Sequence, residues 1–327
     1  MQIVINTRGS YLRKEHNCFL IKNEDRTFEV SAEKVDSILI TTSATISTDA
    51  IEFAVANNID IVFLNRYGNP YGRIWHPKLG STTLIRRRQL EMGALPEGFV
   101  LVRGWVARKL RNQIEYLREL RKNHPAQHDT LEGHVAVLED LYTGLLALSG
   151  TVAMHRERVM GIEGMASAHY FAALSAVLPE EWKFAGRSRD PARDAFNCLL
   201  NYSYGVLYSH VEKGCIIAGL DPYVGLLHTD DYNKKSFVFD LIEVFRIFMD
   251  RTVMLLFAKR QVKESLFDPI PGGLYLNPEG KAVLIAAVNE MFDQEIPYHG
   301  RSVKVRNVIP MECHRLANEL ISHEVRE

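Results

Sequence analysis

The most restrictive feature of this chain of 327 residues is an apolar run that begins at Ser236. Apolar side chains fill almost every position up to Arg251, so the pattern predicts a buried helix without a solvated face. Four polar residues interrupt the run, and they are Asp240, Glu243, Arg246 and Asp250. At roughly 100° per residue they fall within one sector of about 120°. The fold must therefore bury this helix and compensate one charged stripe.

Ionised carboxylates are seldom buried unless a cation, hydrogen bonds or a metal ion compensate them. One interpretation is that Arg246 pairs with its acidic neighbours, or that the stripe faces water. Another is a metal site, because His228 lies just upstream and is followed by Thr229, Asp230 and Asp231. Imidazole and carboxylate ligands together suit Mn²⁺ or Mg²⁺ better than a structural zinc site. The residues alone leave both interpretations open.

Length and composition predict a globular protein of two domains, with 46% hydrophobic and 24% charged residues. Short β-rich runs separated by turn-forming sequences occur at 3–5, 18–21, 27–30, 35–41 and 59–64. A short helix is predicted over 47–57, capped by Ser47 or Thr48. Later helices are predicted at 99–123, 131–148, 152–178, 194–218, 280–292 and 303–323. The prediction is an α+β fold, with a β-rich domain over residues 1–80 and an all-α domain over residues 81–327.

Cysteine spacing and hydropathy exclude several classes of protein. The four cysteines form no C-x-x-C pair, so neither a disulfide framework nor a zinc knuckle is indicated. No apolar run reaches about 18 residues, and the N-terminal MQIVINTRGS lacks the features of a secretion signal. We therefore expect reduced and mostly buried cysteines, no membrane partner and a cytoplasmic location.

The net charge of −1 conceals a basic segment. Residues 73–122 contain twelve Lys or Arg against four Glu. Such a segment can hold phosphates by charge. The alternative is a solvated helix face on which Glu115 and Glu119 pair with nearby basic residues at helical spacing. The segment alone does not decide between nucleic-acid contact and this alternative.

Four strings in the helical part carry a family resemblance. They are MGIEGMASAHYF, FAGRSRDPARDAFNCLLNYSYGVLY, GLDPYVGLLH and SFVFDLIEVFR, in this order. With the N-terminal RGSYLRK and ISTDAIEFAVANNIDIVFLNRYGNPYGRI, they resemble the CRISPR-associated adaptation integrase, the endonuclease of spacer acquisition. The resemblance covers nearly the whole chain.

The resemblance implies a metal site and a set of DNA contacts. By their positions in the matching motifs, Glu163, His228 and Glu243 correspond to the ligands of Mg²⁺ or Mn²⁺. Asp240 corresponds to a neighbouring catalytic carboxylate that supports the ligands or receives a second ion. Contacts with DNA are expected from Arg187, Arg189, Asn197, Tyr204 and Arg246.

The implied function is metal-dependent insertion of short duplex DNA into a CRISPR repeat array, by attack of a 3′-hydroxyl on a phosphodiester. The implied partners are double-stranded DNA, a second copy of the chain and the small ferredoxin-like second adaptation protein. The β-rich domain is the expected dimer interface, because an exposed sheet needs its edges covered. One alternative is a stand-alone nuclease that acts on branched or single-stranded DNA in repair. Another is a DNA-binding scaffold whose acidic cluster is only a charge network.

Overall fold

The computed structural model describes residues 2–23, 26–35, 37–57, 59–65, 70–74, 83–228 and 234–322. The chain divides into two compact units, and each combines separate stretches of the sequence. The first contains Met1–Leu79, Arg189–Ser209 and Ala258–Val305, and the second contains Gly80–Ser188, His210–Phe257 and Arg306–Glu327. The division into domains at residue 80, with dimerisation through the first, stays a prediction.

The strands lie near the N-terminus and in two later hairpins. They are β1 (Gln2–Ile5), β2 (Tyr11–Glu15), β3 (Cys18–Lys22), β4 (Thr27–Ser31), β5 (Ser37–Ile40), β6 (Thr45–Ile46), β7 (Asp60–Leu64), β8 (Pro70–Ile74), β9 (Phe267–Ile270), β10 (Gly273–Leu276), β11 (Glu295–Tyr298) and β12 (Arg301–Lys304). Each of the five predicted β-rich runs coincides with a strand. The α+β class, with N-terminal strands followed by a helical region, is confirmed.

Helices make up most of the remaining chain. They are α1 (Thr48–Ala56), α2 (Thr83–Met92), α3 (Pro96–Asn123), α4 (His128–Leu146), α5 (Val152–Ala176), α6 (Ala195–Ala218), α7 (Ser236–Ile242), α8 (Arg246–Ala258), α9 (Pro278–Asp293) and α10 (Val305–Ser322). The predicted helices in these regions are confirmed with small shifts of their ends, except in the run after Ser236.

In the first unit, two four-stranded sheets form from the N-terminal strands. One has the order β1-β5-β7-β8 and the other β4-β3-β2-β6. Strand β5 is buried at all four positions, as expected for a central strand between parallel neighbours. Helix α1 packs on β2 and β7 through Ala50 and Ala54, and the Ser47 hydroxyl caps it by accepting from the amide of Ala50 at 3.3 Å.

The two hairpins of the first unit, β9–β10 and β11–β12, are antiparallel. The second turns through His299 and Gly300, whose φ angles of 47° and 76° are both positive. Two consecutive positive φ angles are typical of the tight turn that matches strand twist in hairpins. The sequence analysis did not predict these strands, which interrupt an otherwise helical region.

In the second unit, α3 packs against α4 and α5, and α4 packs against α5. Helix α3 buries Val102, Trp105, Val106 and Gln113 on one face, and Lys109 lies on the same face. This spacing of three and four residues is that of an amphipathic helix facing a core. A lysine at such a position needs a compensating anion.

The single helix predicted from Ser236 to Arg251 is wrong in one respect, because a turn separates α7 from α8. The amide of Phe245 donates to the carbonyl of Ile242 at 2.9 Å, and the amide of Phe248 donates to that of Phe245 at 3.1 Å. These bonds span three residues instead of the four of an α-helix. The Asn112 amide side chain donates to the carbonyl of Val244 at 3.3 Å. Glu243 is therefore placed at the break itself.

Other expectations concern the cysteines and the membrane. Cys198, Cys215 and Cys313 are buried and Cys18 is partly buried, and all four are free thiols. Among the residues with described positions, no helix is long and apolar enough to cross a membrane.

Candidate metal and active site

Each charge of the stripe after Ser236 has a partner inside the second unit. Arg246 Nε donates to Glu243 Oε1 at 2.8 Å, so the predicted pairing of Arg246 with an acidic neighbour is confirmed. The Tyr170 hydroxyl donates to Asp250 Oδ2 at 3.1 Å. The stripe is thus an internal polar layer, and its carboxylates are buried.

Asp240 organises the loop that carries His228. Its Oδ2 accepts from the amides of Leu226 at 2.6 Å and Leu227 at 3.0 Å. Its Oδ1 lies 3.0 Å from the amide of His228 and 2.6 Å from Nδ1 of the same residue. Four donors therefore surround one carboxylate whose side chain is fully buried. This favours a supporting role for Asp240 over binding of a second ion.

Arg156 binds two backbone carbonyls of the same loop. Its guanidinium donates to the carbonyl of Leu227 at 2.5 Å and to that of Leu226 at 3.3 Å. Gly225 allows the loop to pass close to the start of α7, because a Cβ there would lie 2.5 Å from the Cβ of Ser236. The backbone before His228 is fixed on both sides. Thr229, Asp230 and Asp231, which follow it, lie outside the described residues.

Glu163 on α5 and Glu243 after α7 meet at one cation. Lys109 Nζ lies 2.7 Å from Glu163 Oε1 and 2.6 Å from Glu243 Oε2. The side chains of Lys109 and Glu243 are 8% and 6% exposed, and that of Glu163 is 16% exposed. Three helices that are distant in sequence therefore bring two carboxylates onto a single ammonium.

Lys109 and Glu243 stabilise each other's ionised forms. Burial by itself would raise the pKa of Glu243, but Arg246 and Lys109 outweigh it and lower the pKa to about 2. Burial would lower the pKa of Lys109, but Glu243 and Glu163 outweigh it and raise the pKa above its ordinary value. At neutral pH, Glu243 is a carboxylate and Lys109 is an ammonium.

His228 is held in one orientation and its proton affinity is increased. The hydrogen bond to Asp240 raises the pKa of His228 above 6.5, burial opposes this, and the charges of Asp240, Glu163 and Glu243 add to the increase. With Nδ1 engaged by a carboxylate, Nε2 is the ring nitrogen suited to a ligand role. A carboxylate on the second nitrogen is the usual support of a metal-bound histidine.

The donor chemistry of Glu163, His228 and Glu243 fits Mg²⁺ or Mn²⁺. Glu243 Oε2 is buried and has no hydrogen-bond donor of good geometry in the described part of the chain, so its contact with Lys109 is an ion pair only. Within the described ranges, no three His, Cys, Asp or Glu side chains are grouped closely enough to hold an ion as they stand. The cation between the two carboxylates in this structure is Lys109.

The residues assigned to DNA contact lie in different settings. Arg187 places its guanidinium over the ring of Phe171, 5.2 Å from the centroid. Asn197 is fully buried, and its amide donates to Asp194 Oδ2 at 2.7 Å at the start of α6. Arg189 accepts a bond from Asn201 at its backbone carbonyl, and Tyr204 is half-buried on α6. Arg246 is bound to Glu243 at the site itself. Arg246 therefore lies at the acidic cluster, and DNA contact by all five residues stays a prediction.

Many charges of the basic segment are paired across helices. Arg118 and Arg121 on α3 pair with Glu139 and Glu132 on α4. Arg108 pairs with the buried Glu312 of α10 at 3.2 Å, and Glu119 pairs with Arg251 of α8 at 2.6 Å. Glu119 therefore pairs with a neighbouring helix and not with the basic residues of its own helix, whereas Arg88 and Glu91 on α2 form a helix-spaced pair at 2.9 Å.

Two residues important to the geometry were missed as individual candidates. The sequence places Lys109 among the residues of the basic segment without a role at the site, and it gives Arg156 no role. A signal for Lys109 exists in the sequence, since it shares helical spacing with Val102, Val106 and Gln113 on an otherwise apolar face. No comparable signal identifies Arg156, because its partners are backbone carbonyls of a distant loop.

Comparisons of this chain with a family model and with curated proteins indicate the same family. The family model described as CRISPR associated protein Cas1 matches residues 3–290. A curated relative, CRISPR-associated endonuclease Cas1 1 of Archaeoglobus fulgidus, is 33% identical over 322 residues, which are 94% of this chain and 93% of the relative.

Two solved structures share the fold. One is a casposase bound to an integration product, with a TM-score of 0.86, 20% identity and coverage of 98% of this chain and 91% of that chain. The other is a chain of a Cas6-RT-Cas1–Cas2 complex, with a TM-score of 0.79, 20% identity and coverage of 99% of this chain and 35% of that chain. Since the family model spans most of the sequence and a curated Cas1 endonuclease is similar over nearly its full length, the chain belongs to the CRISPR-associated Cas1 family.

Proposed function

We propose that this chain is a metal-dependent DNA integrase that inserts short duplexes into a CRISPR repeat array. The observation that carries the proposal is the convergence of Glu163 and Glu243 on one cation, in the same helical unit as a histidine whose Nδ1 is fixed by Asp240. Glu163, His228 and Glu243 would hold Mg²⁺ or Mn²⁺. When bound, such an ion supplies Lewis acidity to a phosphodiester oxygen.

The chain's own residues supply orientation and charge. Asp240 and Arg156 fix the backbone before His228, and Asp240 fixes the imidazole ring. Arg246 binds Glu243 through Oε1, which leaves Oε2 as the oxygen that faces the other cation. In the reaction, the 3′-oxygen of the incoming strand forms a bond to phosphorus, and the bond from phosphorus to the leaving 3′-oxygen breaks. The proton of the attacking hydroxyl passes to solvent, and the leaving 3′-oxygen takes up a proton from solvent to become a hydroxyl.

The partners of this reaction follow from the family. A casposase of the same fold was solved with an integration product, and a chain of this fold occurs in a complex with Cas2. The casposase supports DNA joining over a stand-alone repair nuclease, and the complex supports a Cas2-type partner. Assembly as a homodimer through the N-terminal sheets and a ferredoxin-like fold of the partner are parts of the same proposal.

The test is strand transfer of a short duplex with free 3′-hydroxyls into a supercoiled plasmid that carries a repeat array. Joined products are expected with Mg²⁺ or Mn²⁺ and the small partner, and none with a chelator. A plasmid without repeats is the control for target choice. Nicking without joining, even with the partner present, would favour the repair nuclease. Joining that persists in chelator would contradict the metal site.

The affinity for metal is expected to fall as the pH falls through the raised pKa of His228. Coordination requires a neutral imidazole, so a proton competes with the ion. Because the pKa of His228 is raised, this loss begins above the pH at which an ordinary histidine of pKa 6.5 becomes protonated. Mn²⁺ titrations between pH 5 and 9 measure it. An affinity that stays constant across the histidine range would show that His228 is not a ligand.

A further inference from the structure

Lys109 is an internal cation that lies between two carboxylates from other helices. It is 7% exposed, and its Nζ contacts Glu163 Oε1 at 2.7 Å and Glu243 Oε2 at 2.6 Å. A buried lysine is rare unless it is paired, and this one is paired twice. Its position on the buried face of α3 allows the ammonium little choice of other partners among the described side chains.

The two carboxylates are the ones that the proposed function assigns to the metal. Mg²⁺ binds carboxylate oxygens at about 2.0–2.1 Å, and it requires near-ideal octahedral geometry. An ammonium within about 3 Å of the same oxygens occupies the space that the ion needs. A divalent ion and an ammonium that share the same two oxygens would lie within about 4 Å of each other, where their positive charges repel.

Arg246 differs from Lys109 in this respect. It contacts Glu243 through Oε1 at 2.8 Å, on the other oxygen of that carboxylate. An ion bound at Oε2 would therefore leave the Arg246 bond in place. Lys109 is the cation whose contacts with both Glu163 and Glu243 conflict with an ion.

We propose that the Lys109 ammonium is a built-in competitor of the metal ion: it holds Glu163 and Glu243 together before an ion arrives and withdraws when the ion binds. This inference rests on the proposed function. The competition sets the metal concentration at which the site fills. It also gives the empty site a defined structure in place of two mutually repelling carboxylates.

Binding of the ion changes the net charge of the site. Without an ion, Asp240, Glu163 and Glu243 stand against Lys109 and Arg246, which leaves one net negative charge with neutral His228. A divalent ion changes this to one net positive charge, provided that Lys109 stays ionised nearby. A positive site attracts the phosphodiester of DNA, whereas the empty site does not. Lys109 thereby couples DNA attraction to the presence of metal.

The experiment compares Mn²⁺ binding by the wild type, Lys109→Met and Lys109→Gln without DNA, using the electron paramagnetic resonance signal of free Mn²⁺. Removal of the competing charge is expected to lower the Mn²⁺ dissociation constant by at least about tenfold in both variants. Glutamine keeps hydrogen-bond donors for both carboxylates without the charge. Lys122→Met, an exposed lysine of the same helix, is the matched control and should leave the constant unchanged.

Thermal unfolding gives a second measurement. The variants without metal should unfold at a lower temperature than the wild type, because two carboxylates lose their shared cation. Mn²⁺ should raise their midpoint by more than it raises that of the wild type. Unchanged or weaker Mn²⁺ binding in folded Lys109 variants would overturn the inference.

The outcomes separate the inference from the proposed function. If the wild type binds Mn²⁺ and His228→Ala does not, the metal site stands whatever the Lys109 variants show. If no variant binds Mn²⁺, the metal site and the inference both fail. Should neither Lys109 variant fold, a crystal structure of the wild type with Mn²⁺ decides. An ammonium that stays within 3 Å of both carboxylates beside the bound ion would then overturn the proposal.

Discussion

His228→Ala is expected to reduce DNA joining by at least about a hundredfold. Lewis-acid stabilisation of the transition state contributes several kcal/mol, and each 1.4 kcal/mol is about tenfold in rate. Loss of the nitrogen ligand leaves only two carboxylates to hold the ion, and Lys109 contacts both of them. Single-turnover strand transfer at fixed Mn²⁺ concentration measures the effect. Glu163→Ala should behave in the same way.

Controls for this prediction are available on α5 and α4. Glu157 lies on α5 with Glu163 but is exposed, and His128 is an exposed histidine at the start of α4. Alanine at either position should leave joining within about twofold of the wild type, since exposed residues away from the site contribute little. Full activity of both His228→Ala and Glu163→Ala would show that the reacting site lies elsewhere in the chain.

Asp240→Asn is expected to lower the free energy of unfolding of the helical unit by about 3 kcal/mol. Asparagine has the same shape but one acceptor oxygen, so at least two of the four donors around position 240 lose their acceptor, and each unpaired buried donor costs about 1–3 kcal/mol. Chemical denaturation followed by circular dichroism measures the change.

The same substitution should weaken Mn²⁺ binding by about 10–100-fold, the usual effect of removing a carboxylate behind a metal-bound histidine. Asp140→Asn on the exposed face of α4 is the matched control and should change neither quantity. If Asp240→Asn unfolds like the wild type, the four short contacts to its carboxylate do not stabilise the loop. A loss of stability with unchanged Mn²⁺ affinity would limit Asp240 to a structural role.

The positions of the helices were the part of the fold that could best be predicted from the sequence. Helices such as α3 and α6 run for 28 and 24 residues, and long segments with periodic apolar spacing are readily predicted as helices. Strands β9 to β12 span four residues each, and they lack the apolar β-branched runs that identify the equally short β1 and β5; β9 and β11 also contain a proline. The His299-Gly300 pair is a local signal for the turn between β11 and β12.

The candidate ligands could be proposed from the sequence, whereas the side chains that contact them could not. Glu163 and His228 became candidates through their motifs, whereas their own spacing gave no indication that they belong together. The break at Glu243 depends on a bond from Asn112, more than a hundred residues away, so the local apolar pattern favoured one continuous helix. Lys109 and Arg156 act on groups that only the tertiary structure brings near them.

In the loop before His228, two peptide groups are hydrogen-bonded to the guanidinium of Arg156 and to the carboxylate of Asp240. The peptide group between Leu226 and Leu227 accepts from Arg156 at its carbonyl and donates to Asp240 at its amide, and the next peptide group does the same. Two consecutive peptide dipoles thus lie in line between a guanidinium and a carboxylate that do not touch in any described contact. Each bond polarises the peptide and strengthens the one at its other end. Arg156 and Asp240 therefore support each other's hydrogen bonds through the same two peptide groups, so the loss of either residue weakens the bonds of the other.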